Sequence, residues 1–443
     1  MQKKYLILFC LLLFLTSMST KAQETWSLEQ CIKYAFDNNI QIKQQMLSIK
    51  KGESTLFQSK MSALPNLNAT ADHSYEFGRL LGKDSSKLGS QSNLFSISSS
   101  VNLFNGLQTY NSIKKNKFDL LSTLSDVERV KNNIALSIAS AYLQILYSEE
   151  LVVTSIKQVE LSKMQVDRTT VLVKAGSLPE GNLLEIEAQL ASDELQLVNS
   201  QNQRDLAYLS LTQYLDIKTP EGFKIQKPNL DGFETKLVDI SPNGIFETAQ
   251  QTMPQIIGAN YKVSSAEKSL VIEKGGLYPS LNLTASYGTR YSHYINYLYD
   301  KSDEFNSQLK NKATTSLGFR LSIPIFNGWS ASNRITNAKI SLDKSRLDLE
   351  NEKNILYKDI QQAYTDAIAA QKKLKATQKS LIALTEAFRY SEQKFTVGMV
   401  TSVDYTTAKT KLSKAETDLL QAKYELIFKS KILEFYKGIP LNL

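Results

Sequence analysis

The sequence predicts a mixed membrane protein, mainly α, built as two tandem structural repeats that each supply a β-hairpin and very long helices. Three observations carry this. Short landmarks recur in the same order in both halves of the chain. Two long windows, 107–175 and 329–397, contain neither Gly nor Pro. Four shorter stretches alternate apolar and polar residues with the period of a strand.

Composition sets the outer bounds. The chain has 443 residues, 52 Lys+Arg against 44 Asp+Glu, 42% hydrophobic and 22% charged residues. That balance excludes a wholly disordered chain and a bundle of apolar membrane helices. The formal charge of +8 is spread over a long chain and is weak support for a nucleic-acid partner.

The N-terminus reads as an export signal: Lys3 and Lys4, an apolar run Tyr5–Leu15, then small residues up to Thr20-Lys21-Ala22. A signal peptide over 1–22 and a mature start at Gln23 are expected. The run is too short for a spanning helix, and Cys10, behind Phe9, is not placed for lipid modification. The other cysteine, Cys31, has no disulfide partner in the mature chain and sits among Ile32, Tyr34, Ala35 and Phe36, a packing environment. With no long apolar run in the mature part, entry into a membrane must use β-structure.

The repeat covers almost all the remainder. Pro65-Asn66-Leu67-Asn68-Ala69-Thr70 returns as Pro279-Ser280-Leu281-Asn282-Leu283-Thr284. Phe104-Asn105-Gly106 returns as Phe326-Asn327-Gly328, Ala141-Tyr142 as Ala363-Tyr364, and Gly176 as Gly398. The first repeat is placed at 23–215, with strands about 66–80 and 93–104, a long helix about 107–175 and a hairpin helix about 182–215. An inter-repeat equatorial linker at 216–242 holds Pro220, Gly222, Pro228 and Gly232. The second repeat, 243–437, has strands about 280–297 and 313–326, a long helix about 329–397 and a hairpin helix about 399–437. A tail, 438–443, follows.

Each strand region keeps its apolar residues on one face. Leu67, Ala69, Ala71, His73, Tyr75 and Phe77 form the first set. Phe95, Ile97, Ser99, Val101 and Leu103 form the second. Leu281, Leu283, Ala285, Tyr287 and Tyr291, then Leu317, Phe319, Leu321 and Ile323, are the counterparts. Such strands fit a transmembrane β-barrel wall; a soluble two-hairpin sheet is the alternative. Tyr291, Tyr294, Tyr297 and Tyr299 suit an interfacial girdle or outer loop. Four strands cannot close a barrel, and an open edge cannot face lipid, so other copies of the chain must complete the wall.

Each long window is roughly 100 Å of helix. Ile134, Ile138, Ala141, Ile145, Ser148, Val152, Ser155 and Val159 mark a 4-3-4-3 stripe. Leu356, Ile360, Ala363, Ala367, Ala370, Leu374, Thr377 and Leu381 repeat it. The stripe fits a coiled-coil seam or an antiparallel bundle core equally. Gly176 and Gly398 then stand at the tips of helical hairpins. No phosphate loop, nucleophile elbow or Cys/His cluster occurs, and His73 and His293 lack ligand spacing, so neither enzyme, metal nor cofactor is expected. The basic Ser112-Ile113-Lys114-Lys115-Asn116-Lys117 follows the strand region without aromatic interleaving and is expected near a membrane surface rather than on nucleic acid.

In this doubled layout, with the Phe-Asn-Gly turns, the Ala-Tyr pairs and the tip segment Phe395-Thr396-Val397-Gly398-Met399-Val400-Thr401-Ser402-Val403-Asp404, the chain resembles the TolC-like outer-membrane efflux protein family. The resemblance implies a homotrimer with one shared 12-stranded β-barrel in outer-membrane lipid and a periplasmic α-barrel. It implies a periplasmic adaptor (membrane fusion) protein and an inner-membrane RND, ABC or MFS pump as partners, in efflux or type I secretion. It places adaptor docking at Ala175, Gly176, Ser177, Leu178, Val397, Gly398 and Met399. It places the pore constriction at Asp404, with Asn182 as its repeat mate and Glu185 as the mate of Thr407. One member of that family has an arginine, part of a charged tip latch, two residues after the second tip glycine; Val400 stands there in this chain, so that latch is expected to be absent or built differently. The competing reading is a periplasmic coiled-coil adaptor or rod without a barrel.

Overall fold

A computed structural model describes residues 25–79, 87–228, 241–295 and 303–442. The expected signal peptide and Gln23 start, much of the linker's second half, and Tyr297 and Tyr299 lie outside the described residues. For Tyr294 only the backbone is described. The chain forms two compact units that cut across the repeats. One takes residues up to Gln45, Val127–Met253 and Asn354–Leu443; the other takes Met46–Asp126 and Pro254–Lys353.

The second of these holds a four-stranded antiparallel sheet: β2 (Asn66–Arg79), β3 (Lys87–Asn105), β5 (Ser280–Ile295) and β6 (Thr314–Ser322), in the order β2-β3-β5-β6. Its register sorts side chains by face, because successive residues point to opposite sides. Leu67, Ser99, Ala285 and Leu317 share one row, and Ala69, Ile97 and Tyr287 the next. The opposite face carries rows such as Asn68, Ser98, Ser286 and Ser316. The apolar face is bare: Leu67 is 74% and Leu317 71% exposed.

Several features differ from the sequence expectation. β3 begins at Lys87, well before 93, and β6 stops at Ser322, short of 326. A bulge between Asn102 and Phe104 sets Phe104, not Leu103, opposite Leu281, because an extra residue shifts the alternation by one. A short helix, α7 (Phe305–Asn311), lies between the two strand regions of the second repeat. Its Gln308 pins β5 by accepting from the Ser292 amide and donating to the Ser292 carbonyl, both at 3.1 Å. Tyr291 packs on Phe305 at 4.9 Å, so it is tied to this cover. His73 bonds Asn93 across the strands and packs edge-on against Tyr75.

The helix before each hairpin is broken in both repeats. In the first, α1 (Leu28–Asn38) and α2 (Ile40–Met61) meet at Asn39. The Asn39 carboxamide caps α2 by accepting from the Gln41 amide at 2.9 Å, and donates to the Tyr214 carbonyl at 2.9 Å. In the second, α5 (Pro242–Thr252) and α6 (Pro254–Gly275) are split by Pro254, which cannot continue a helix from the residue before it.

The long helices α3 (Gln108–Lys174) and α8 (Ser330–Thr396) have 67 residues each. They are followed by α4 (Glu180–Tyr214) and α9 (Ser402–Tyr436). α9 starts at Ser402, three residues later than the expected start near 399, because Thr401 provides its cap. The first stripe, from Ile134 to Val159, is buried throughout. In α8 the stripe is buried from Leu356 to Ala370 and half-buried from Leu374 onward. Serine layers let backbones approach: the Ser155 and Ser200 hydroxyls meet at 3.0 Å between α3 and α4.

Within the same unit the linker is partly fixed. β4 (Lys224–Ile225) pairs in parallel with β1 (Thr25–Trp26). Fully buried Tyr142 donates to the Gln226 carbonyl at 2.5 Å and lies 3.1 Å from the Trp26 carbonyl. Cys31 is buried in this core, and desolvation pushes its thiol up to about 12. Packing is its role.

Candidate functional site at the hairpin tips

Both tips are helix ends closed by a left-handed glycine. After α3, the Gly176 and Ser177 amides donate back to the Val173 and Leu172 carbonyls, both at 2.9 Å; Gly176 has φ +71°. After α8, Gly398 and Met399 donate to Phe395 at 3.1 Å and Lys394 at 2.9 Å; Gly398 has φ +76°. This doubly bonded ending satisfies carbonyls a helix leaves open and needs positive φ at its glycine. It frees the neighbouring side chains from packing. Ala175, Gly176, Ser177 and Gly398 are exposed, Val397 is 66% and Met399 76% exposed, and Leu178 is half-buried.

Beneath these bare ends the hairpins are locked together. Ile186 of α4, Phe395 of α8 and Tyr405 of α9 form a small buried cluster, with Val166, Phe388 and Val400 packed against it. The Phe395 and Tyr405 rings stack at 4.8 Å. Burial pushes the Tyr405 phenol up to about 12, so it is neutral at any physiological pH. Val400 works here as a hydrophobic contact.

The three expected constriction residues fall into two groups. Buried Ser402 at the start of α9 donates to the Glu185 carboxylate and has Asn182 Oδ1 at 3.4 Å. The two first-repeat residues are therefore brought to one second-repeat hydroxyl. Asp404 is not part of that group. Its carboxylate accepts from the Thr401 hydroxyl at 2.8 Å and the Thr401 amide at 3.2 Å. The Asp404 amide donates back to Thr401 Oγ1 at 3.2 Å, closing a reciprocal cap. The side chain is exposed and also sits at the positive end of the α9 dipole.

A second lock lies further along and was not foreseen from the sequence. Lys409 is buried; its ammonium donates to Asp193 Oδ2 at 2.9 Å and to the Ser162 hydroxyl oxygen. Ser162 in turn donates to Asp193, and Gln189 donates to Asp193 Oδ1 at 2.8 Å. α3, α4 and α9 thus converge on one saturated ion pair. A legible signal was present: Ser402, Tyr405 and Lys409 follow a 3-4 spacing that turns all three inward. A cavity of about 400 Å³ opens beside it, lined in part by Gln158, Asn199 and Lys414.

Comparison with known proteins places this arrangement. The profile described as "Outer membrane efflux protein" matches residues 31–216 and 245–436. The chain is 21% identical over 440 residues to outer membrane protein TolC of Salmonella enteritidis, covering 99% of this chain and 87% of that one. It is 20% identical over 439 residues to the outer membrane efflux protein BepC of Brucella suis, covering 97% and 89%. Its fold is similar to the crystal structure of CusC with a TM-score of 0.80, at 16% identity and 96% coverage of both chains. These relatives are channel and transport proteins. With two profile matches spanning both repeats, the chain belongs to the outer membrane efflux protein family, outer-membrane channels whose helical part extends into the periplasm.

Proposed function

We propose that three copies of this chain form a passive conduit, closed at the helical tips until partner proteins open it. The observation that carries the reading is the sheet. It has one bare apolar face, one polar face, and two unpaired edges, β2 and β6. In hydrocarbon an unpaired edge leaves backbone groups without partners, each costing several kcal/mol. β2 and β6 run in opposite directions, so β6 of one copy pairs antiparallel with β2 of the next. Three copies then give twelve strands with the Ser, Thr and Asn rows facing water.

The exposed tip residues Ala175–Leu178 and Val397–Met399 are available to a periplasmic adaptor protein. An inner-membrane pump of the RND, ABC or MFS class would supply the energy, in efflux or type I secretion. A passive conduit performs no covalent chemistry, and no catalytic residue is assigned. The three Asp404 carboxylates of a trimer would ring the narrow neck, with Asn182 and Glu185 in a neighbouring layer. At about 6 Å separation, each carboxylate pair repels by roughly 1–3 kcal/mol in a wet site. That repulsion favours cations in the neck and sets a balance that adaptor contacts can tip.

Purified protein in planar bilayers tests the reading. Discrete, cation-preferring conductance is expected from a detergent-stable trimer. A monomer that stays folded in plain buffer and never conducts refutes the conduit and favours a periplasmic rod.

A further inference from the structure

Where the sheet passes into the helices, the unit carries a belt of bare apolar side chains. Leu64, Leu107, Leu277, Tyr278, Phe326 and Trp329 all lie at strand–helix junctions and are exposed. Just beyond the belt the charges become one-sided. α3 and α6 run antiparallel there, fixed by Gln108 donating to the Ile272 carbonyl at 2.9 Å and Ser265 donating to Asp119 at 2.5 Å. The acids of α3 and α6 at this level are engaged. Asp119 pairs with Lys115 at 2.7 Å, Glu273 with Arg334 at 3.0 Å, and Glu267 with Arg346 at 3.6 Å. Lys114, Lys117, Lys268 and Lys274 have no carboxylate partner among the described residues.

The Lys114 ammonium lies 4.3 Å from the Tyr110 ring centroid. The register of α3 against α6, Gln108 beside Ile272 and Asp119 beside Ser265, sets Lys268 at about the level of Lys114. The Tyr110 phenol is held below its usual range chiefly by Lys114, with a smaller effect of the Lys268 charge. Lys114 follows Leu107 by seven residues, about 10 Å of helix rise. Helical side chains lean toward the N-terminus, which here is the sheet end of α3. The Lys114 ammonium therefore reaches back over Tyr110 toward the apolar belt. The polar headgroup layer is roughly 5–7 Å thick on each side of the hydrocarbon, so aromatic belt and ammonium fall at acyl-chain and headgroup depth respectively.

We propose that Tyr110, Lys114 and Lys268 form a binding site for the phosphate of an anionic phospholipid in the periplasm-facing leaflet. A zwitterionic headgroup fits less well, because Asp119, Glu267 and Glu273, the acids beside the cluster on α3 and α6, are already engaged. A soluble anion would leave the adjoining apolar belt uncovered, whereas a lipid's acyl chains cover it. The site rests on the sheet lying in the membrane.

The test uses the full-length oligomer equilibrated with vesicles of phosphatidylethanolamine, with and without phosphatidylglycerol. Co-purifying lipid is then counted by native mass spectrometry. Enrichment of phosphatidylglycerol is expected, falling by about tenfold or more in K114E/K268E, since each basic residue at an anionic surface contributes on that scale. K375E/K379E, which changes exposed lysines of α8 in the other compact unit, is expected to keep the enrichment. K114Q/K268Q serves the same purpose if charge reversal impairs assembly. Equal retention of both lipids, loss in both variant pairs, or displacement by inorganic phosphate overturns the site. Conductance in phosphatidylethanolamine alone is read in parallel. Its absence counts against the channel, while intact conductance without lipid selectivity counts against this site only.

Discussion

Gly106 and Gly398 both end a sequence landmark and both have positive φ, yet they answer to different constraints. A Cβ on Gly106 would lie 2.2 Å from the Gly275 carbonyl oxygen, where α6 abuts the start of α3. Around Gly398 nothing lies within 4 Å. Gly398→Ala then costs only backbone strain, about 1–2 kcal/mol, seen as faster hydrogen exchange at the α8–α9 turn. Gly106→Ala adds a clash with main chain and is expected to reduce the yield of folded protein outright. Asp404 needs the same separation of causes. Because its carboxylate caps α9, Asp404→Ala removes both charge and cap, the latter about 1 kcal/mol. Asp404→Asn keeps an acceptor for the Thr401 amide while removing the charge. If the residue sets ion preference, both variants lose cation selectivity in bilayers and Asn does so without loosening the tip. Unchanged selectivity in Asp404→Asn would leave the residue as a helix cap.

Among elements, the lock between Lys409 and Asp193 fastens the two hairpins to each other. Removing one partner leaves a buried charge uncompensated, an effect of about 3–5 kcal/mol. Lys409→Met is expected to lower the denaturation midpoint of the helical unit strongly. Lys409→Met with Asp193→Leu should recover much of it, because two apolar groups replace two charges. Failure of the double variant to recover would show that Ser162 and Gln189 need the carboxylate independently. The linker has its own anchor. Tyr142→Phe keeps the ring in the core but removes its bond to the Gln226 carbonyl, a loss of about 0.5–1.5 kcal/mol. Protease sensitivity should rise around β1 and β4 while the hairpins stay protected. Ala363-Tyr364 repeats Ala141-Tyr142 in sequence, but Tyr364 is only half-buried, so Tyr364→Phe is expected to be nearly silent.

For the molecule as a whole, the deciding property is the two-faced sheet. Leu317 and Ser98 lie on opposite faces. In lipid vesicles Leu317→Arg is expected to destabilise by about 2–4 kcal/mol, the scale for an arginine facing hydrocarbon. Ser98→Arg, facing water, should do little. Urea-induced unfolding from vesicles measures both, and equal effects would mean the sheet is solvated on both sides.

How much of this could be read in advance follows from which forces are local. The repeat, the two long helices, the tip glycines and the strand alternation were legible, because helix propensity, left-handed φ and the two-residue period act over a few residues. The helix breaks at Asn39 and Pro254, the bulge beside Leu103 and helix α7 were not read. The Asn39 cap also serves the distant Tyr214 carbonyl, and the bulge exists only relative to a partner strand. The same division holds at the site. The sequence named Asn182, Glu185 and Asp404 by position, but only the folded chain joins the first two through Ser402 and turns Asp404 onto Thr401. Lys409 illustrates the reason most directly: its spacing points it inward, while the carboxylate and hydroxyl that make burial tolerable come from α4 and α3. Local order belongs to the sequence; which buried polar group meets which partner is decided only when remote segments pack and exclude water.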